Sequence, residues 1–245
     1  MDRIAIISDI HGNLPALEAT LADIRGRGIQ RIACLGDLAG KGPSADVVVD
    51  RCRAICEWVV QGNWDDGLLA ETDHPTLQWH RERLGRARLE YLGQLPAVVE
   101  FTISGKRVRL FHASQQGVYT RVYMNDTPEK HAAMFENTPF TGDGPPPDVV
   151  GYGDIHDAYV KTFRSKILFN AGSVGNPLDM TQAAYAILEG RYASEAPSGF
   201  GIQIVRVPYD IERAIRDAEQ AGMPELEAYA SELRTGRYRG AGPAA

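Results

Sequence analysis

Seven side chains in five short stretches carry the donor types of a metal centre. They are Asp9 and His11 in Asp9-Ile10-His11, Asp37 after Gly36, Asn63 after Gly62, His112, and Asp154 and His156 in Asp154-Ile155-His156. Carboxylate oxygens, an amide oxygen and imidazole nitrogens are what borderline divalent cations accept. Asp9 and His11 are two apart, so extended backbone would turn both to one side and offer an oxygen and a nitrogen to a single ion. Gly36 lets the chain approach a neighbour closely. Any one stretch has a plain explanation, a helix cap or a structural imidazole. The ordered set of five points to metal chemistry.

Each stretch follows a run of strand-forming residues. Ile4-Ala5-Ile6-Ile7 is apolar throughout, as a parallel strand covered on both faces requires. Asn13 and Pro15 then open a helix in which Leu14, Leu17, Leu21 and Ile24 recur at helical spacing, closed by Gly26 and Gly28. Arg31 to Leu35 gives a second strand. Ser44 caps a second helix with Val47, Val48 and Ile55 on its inner face, and Trp58-Val59-Val60 gives a third strand. Strands alternating with helices predict right-handed crossovers and a parallel sheet, whose carboxyl ends gather the stretches in one place.

The middle of the chain changes texture. Leu77 to Leu92 reads as a helix anchored by Leu77, Leu84, Tyr91 and Leu92. Val98 to Ile103 and Lys106 to Phe111 read as a hairpin about Ser104-Gly105. Residues 113 to 147 are polar, with a short helix from Pro128 to Phe135 and a Gly/Pro-rich surface loop at 141 to 147. Strand patterns resume at Val149-Val150, Tyr159 to Phe163, Lys166 to Phe169, Ala183 to Leu188 and Ile202 to Val207, and Asp210 caps a further helix. The expectation is an α/β protein of two facing sheets covered by helices, one domain over residues 1–235, with a loose tail at 236–245.

These stretches resemble the calcineurin-like metallophosphoesterase superfamily, whose pattern is DxH, GD, GNH(D/E), H and GHxH in that order. Ser8-Asp9-Ile10-His11-Gly12-Asn13, Cys34-Leu35-Gly36-Asp37 and Asn170-Ala171-Gly172-Ser173-Val174-Gly175 are similar to its small bacterial and archaeal phosphodiesterases. The resemblance spans roughly residues 3 to 210. It implies a four-layer αββα sandwich of two mixed β-sheets flanked by helices. It also implies that Asp9, His11, Asp37 and His156 hold one divalent ion, while Asp37 bridges to a second held by Asn63, His112 and the residue at 154. The implied activity is hydrolysis of phosphate esters, diesters above monoesters, by a hydroxide held between two metals. Asp37, Asn63 and His112 are the residues it places at the reacting group. Small phosphate esters or nucleotides are the implied substrates.

Two positions depart from the pattern. Trp64 stands where it has histidine, and an indole N–H does not ionise, so Trp64 supplies no general acid. His74, His80 or a metal-bound water are the available substitutes. Asp154 stands where it has an imidazole, which leaves the second site richer in hard oxygen and favours Mn²⁺ over Zn²⁺, with Fe and Ni also compatible. Asp154 as a turn cap, with the second ion weak, is the other reading. The departures also keep alive a different class of function, a degenerate member serving as a metal-binding protein-interaction scaffold, as the similar retromer subunit does.

Composition narrows the rest. With 245 residues, 44% hydrophobic and 24% charged, the chain can bury a sizeable core. A net charge of −6 does not point to a dedicated nucleic-acid binder, although nucleic-acid ends stay among the possible substrates. No apolar run suits a signal peptide or a membrane span, which predicts a cytoplasmic protein. Three cysteines without paired spacing make no disulfide framework; Cys52 and Cys56 share a helix face as buried apolar side chains. Arg81, Arg83, Arg86 and Arg88 read as a solvated helix face rather than a phosphate patch, and Trp64, Trp79, Tyr119 and Tyr123 as core or stacking aromatics. Ser173 reads as part of a tight turn. A homo-oligomer is compatible with all of this.

Overall fold

The computed structural model describes residues 1–240; positions 241–245 of the expected tail lie outside the described residues. Strand β1 (Asp2–Ile7) leads into helix α1 (Leu14–Gly26), β2 (Arg31–Cys34), α2 (Ala45–Ile55) and β3 (Trp58–Val59). A five-residue helix α3 (Asn63–Gly67) and the long α4 (Pro75–Leu92) follow, then β4 (Val98–Ile103), β5 (Lys106–Phe111) and α5 (Pro128–Ala133). The chain continues through β6 (Val149–Tyr152), β7 (Tyr159–Phe163), β8 (Lys166–Asn170), β9 (Ala183–Gly190) and β10 (Gly201–Val207) to α6 (Ile211–Gln220) and α7 (Leu226–Thr235).

These strands form two five-stranded mixed sheets, ordered β10-β9-β1-β2-β3 and β4-β5-β6-β8-β7. In the first, β1 pairs parallel with β2 and antiparallel with β9. In the second, β6 lies parallel between β5 and β8. The apolar run of β1 explains the layering. Ile4 and Ile6 face the second sheet, meeting Val108, Leu110 and Phe169 in the inter-sheet core. Ala5 and Ile7 face the helices, among Leu17, Leu21, Val48 and Cys52. The far side of the second sheet packs Phe111, Tyr152 and Leu168 under Met134 and Phe135. Two mixed sheets flanked by helices therefore match the expected α/β sandwich.

Several details differ from expectation. Val47 is exposed on α2, because Ala45, Val48, Val49 and Cys52 occupy the inward stripe. Helix α4 starts at Pro75 and is interrupted at Gly85, whose φ of 67° is left-handed. Helices α3 and α7 were not anticipated. Within the expected tail, Arg239 is held by Glu232 of α7 through Nε (2.8 Å). No helix among the described residues is long and apolar enough to cross a membrane.

Candidate metal centre

The loops after β1, β2, β3, β5 and β6 meet at one end of the two sheets and bring all seven predicted side chains together. Asp9, His11, Asp37, His112, Asp154 and His156 are buried. The backbone does not continue extended as the Asp9–His11 spacing suggested. Asp9, His11, Asp37, Asp154 and His156 all have φ between 48° and 63°. Left-handed backbone is uncommon outside glycine and costs each residue roughly 1–2 kcal/mol. Hydrogen bonds from neighbouring loops hold it: Asp9 N to Gly36 O (3.0 Å), His11 N to Asp37 O (2.9 Å) and Gly175 N to Asp9 O (3.0 Å). Ser173 Oγ donates to Asp9 O (2.7 Å) and accepts from Asn176 N, which gives this serine a turn-bracing role.

The three imidazoles are oriented alike. Their Nδ1 atoms meet the carbonyls of Ala39 (His11, 3.1 Å), Leu35 (His112, 2.7 Å) and Asn176 (His156). A carbonyl only accepts, so each Nδ1 carries the hydrogen and each Nε2 turns a lone pair inward. His11 Nε2 lies 3.2 Å from His156 Nε2, and His156 Nε2 lies 3.2 Å from Asp9 Oδ1. Asp37 divides its carboxylate: Oδ2 is 3.5 Å from His11 Nε2 and Oδ1 is 3.5 Å from His112 Nε2. Asp154 Oδ1 is 3.8 Å from His112 Nε2. Two groups of donor atoms lie within 4.8 Å of one another, Asp9-His11-His156 and Asp9-Asp37-His112.

Divalent cations fit this arrangement on its own chemistry. Asp9 Oδ1 is buried without a hydrogen-bond donor. The Asn63 side-chain amide reaches Asp154 Oδ1 (3.1 Å), Asp37 Oδ2 (3.3 Å) and His112 Nε2 (2.9 Å); without a cation its NH2 donates to them, and with one the amide turned over offers its oxygen. Oxygens and lone pairs converging without donors are stable around a cation and costly otherwise. Without cations, protonation takes up the strain. Burial pushes the Asp37 carboxyl well above the usual range, with His112 opposing and Asp9 adding to the rise. Burial works against the His112 imidazolium, yet Asp37, Asp9 and Asp154 lift it to about 9. Burial would raise Asp9 too, but His156, His112 and His11 hold it well below the carboxylate range.

Around the centre lies a cavity of about 700 Å³ bordered by Asp37, Asp154 and His156. Trp64 forms one wall, its indole edge-on to His11 with centroids 6.0 Å apart. Its backbone N–H donates to Asp37 Oδ1 (2.8 Å). Asp65 is buried and ties α3 to the loop that carries Asp37, accepting from Leu38 N (3.1 Å), Ala39 N (3.3 Å) and Gly62 N (3.1 Å). Of the aromatics singled out, Trp64 and Tyr123 border the cavity; Trp79 packs against His80, and Tyr119 donates to Asp66 Oδ2 (2.6 Å). The α4 arginines are engaged elsewhere: Arg81 with Leu68 O, Arg83 with Pro43 O, Arg86 with Glu90 and Arg88 with Asp50.

Neither histidine offered as a substitute acid suits the task. His74 is exposed at the start of α4. His80 borders the cavity, but burial and then Arg83 push it down to about 4, so it is neutral near pH 7. Several bordering residues were not singled out from sequence, among them cationic and aromatic side chains. Arg121 Nε sits 3.1–3.2 Å from both Asp154 oxygens. Lys41, Arg237 and Tyr238 also border the cavity. Lys41 had a faint signal, as the one side chain between two glycines in Gly40-Lys41-Gly42.

Two mixed sheets carrying buried aspartate and histidine, with Asn63 beside them, at one end define an α/β protein of the metallophosphoesterase type. Residues 2–191 match the calcineurin-like phosphoesterase superfamily domain. The chain belongs to that superfamily. It is 32% identical over 235 residues to an uncharacterized protein of Methanocaldococcus jannaschii, covering 91% of this chain and 94% of that one. A metallophosphoesterase from Sphaerobacter thermophilus superposes with a TM-score of 0.73 at 28% identity, over 96% of this chain and 99% of that chain. A hypothetical protein from Pyrococcus horikoshii shares the fold, with a TM-score of 0.74 at 17% identity over 99% and 100% of the two chains.

Proposed function

We propose that this protein is a phosphodiesterase working with two divalent cations, Mn²⁺ foremost. The observation that carries this is the convergence of carboxylate oxygens and imidazole Nε2 atoms, with Asp9 Oδ1 buried and facing no donor. In this reading Asp9, His11, Asp37 and His156 hold one cation, and Asn63, His112 and Asp154 hold the other, with Asp37 shared. Two such cations supply Lewis-acid charge at the phosphoryl group and a water made acidic enough to attack at neutral pH.

What the chain itself does follows from its contacts. Carbonyls at 35, 39 and 176 fix the three imidazole tautomers, so the Nε2 donors are set before any ligand arrives. Asp37 spans the two halves because its oxygens face different histidines. Trp64 shields the His11 side from water and lends no proton. Leaving oxygens that tolerate negative charge therefore suit the site best. The cavity of about 700 Å³ is large enough for an ester with two substituents on phosphorus, and Trp64 and Tyr123 offer aromatic surface to a base or aryl group.

Hydrolysis of bis-p-nitrophenyl phosphate and p-nitrophenyl phosphate in Mn²⁺ tests the substrate class. The diester is expected to show the higher kcat/KM. Faster monoester turnover would move the protein to the phosphomonoesterases.

A further inference from the structure

The loop that carries Asp37 also carries a lysine that the seven-ligand set does not use. Gly40 and Lys41 both have left-handed backbone, with φ of 84° and 57°. A Cβ on Gly42 would stand 2.5 Å from His11 O, so glycine is required there. Gly42 N donates to His11 O (2.7 Å) and Ser44 N to Gly12 O (2.9 Å), locking this loop to the one that holds His11. A lysine in left-handed conformation between two constrained glycines is strained backbone held against the site.

The side chain is 11% exposed, and Nζ donates to Asn176 Oδ1 (2.6 Å). Glu232 Oε2 is 3.9 Å away, beyond hydrogen-bond reach. Glu232 is occupied by Arg239 and by Asn176 Nδ2. Among the described residues the ammonium therefore has one acceptor for three N–H groups. It borders the same cavity as Asp37 and His156. Burial works against its charge and lowers its pKa, with Glu232 opposing. A mostly buried ammonium at the edge of a centre that would hold divalent cations is placed to share an anion with them. A phosphoryl group is an anion of that kind.

We propose that Lys41 is a substrate-binding residue whose ammonium donates to a non-bridging phosphoryl oxygen of the bound ester. This rests on the phosphoesterase reading. The competing role is positional: Asn176, held by Lys41, accepts from His156 Nδ1 through its backbone carbonyl, so Lys41 could act only by steadying that imidazole. A substrate contact and a ligand-steadying contact have different signatures.

The test uses the full-length, Mn²⁺-loaded protein and its Lys41→Met, Lys41→Gln and Lys41→Arg variants, with inorganic phosphate as the probe. Bound Mn²⁺ is measured alongside. Loss of a charge-assisted hydrogen bond should weaken phosphate binding by calorimetry about tenfold or more in Lys41→Met, raise KM for bis-p-nitrophenyl phosphate similarly, and leave bound Mn²⁺ unchanged. Lys41→Arg should recover part of both. Lys41→Gln, which keeps a donor toward Asn176, should behave like Lys41→Met and stands in for it if that variant does not fold. Unchanged phosphate affinity and KM, or losses that track a loss of Mn²⁺, would overturn the proposal. Wild-type protein that binds phosphate through Lys41 but hydrolyses no ester would overturn the phosphoesterase reading alone.

Discussion

At the scale of single residues, two substitutions set the chemical character of the site. Trp64 gives the cavity a wall where an ionisable ring would give a proton donor, and its amide still secures Asp37. Asp154 keeps a carboxylate within reach of Asn63 and His112 and is also held by Arg121. His80 shows the cost of the aromatic wall. It is packed edge-on to Trp64 and Trp79, and both ring nitrogens lack partners. Its folded pKa of about 4 lies below the unfolded value of 6.5. The unfolded chain therefore binds the proton more tightly, and stability falls as pH drops from about 6.5 to about 4. The size is roughly 3 kcal/mol across that window. In His80→Leu this acid-dependent loss should largely disappear, so urea unfolding at pH 7 and at pH 4.5 should differ less than in wild type. An identical pH dependence in the two proteins would contradict the assignment.

At the scale of elements, the strands deliver the donor side chains but the loops aim them. The seven donor side chains that converge were legible as candidates in the sequence because residue types and strand-end positions are local signals. The left-handed backbone of five of them was not. It is set by contacts from distant segments, such as Ser173 and Gly175 on the main chain of Asp9. Helix α7 was legible and missed: Leu226, Tyr229, Ala230 and Leu233 follow the i, i+3, i+4, i+7 pattern and pack on α6. Val47 shows the opposite error, an apolar residue assigned inward from its type although the stripe runs beside it. The tightness of the loops makes a sharp prediction. A Cβ at Gly153 would stand 2.5 Å from Asp9 Oδ2 and collide with Ser8. Gly153→Ala should therefore displace Asp9, weaken Mn²⁺ binding about 10- to 100-fold and lower stability by about 1–3 kcal/mol. Calorimetric Mn²⁺ titration and chemical unfolding read both, and wild-type affinity in this variant would contradict the close approach.

At the scale of the whole molecule, two sheets from separate parts of the sequence must meet for the centre to exist. Asp9 and Asp37 come from the first sheet, and His112, Asp154 and His156 from loops of the second. The inter-sheet core of Ile4, Ile6, Leu110 and Phe169 sets the distance between them. Strands β9 and β10 close the first sheet, and α7 reaches back so that Glu232 touches Asn176 behind His156. That return path joins residues far apart in sequence, which is why local patterns did not reveal it. The central claim is that the converging donors hold two cations that carry the hydrolysis, with Asp37 shared between them. Its most direct measurement is an Mn²⁺ titration of metal-stripped protein, following bis-p-nitrophenyl phosphate hydrolysis in wild type and Asp37→Asn. The account predicts activity that rises to a plateau at about two equivalents per chain and falls at least about 100-fold in Asp37→Asn. No turnover with any divalent metal, or turnover that survives chelation or the Asp37→Asn change, would contradict it.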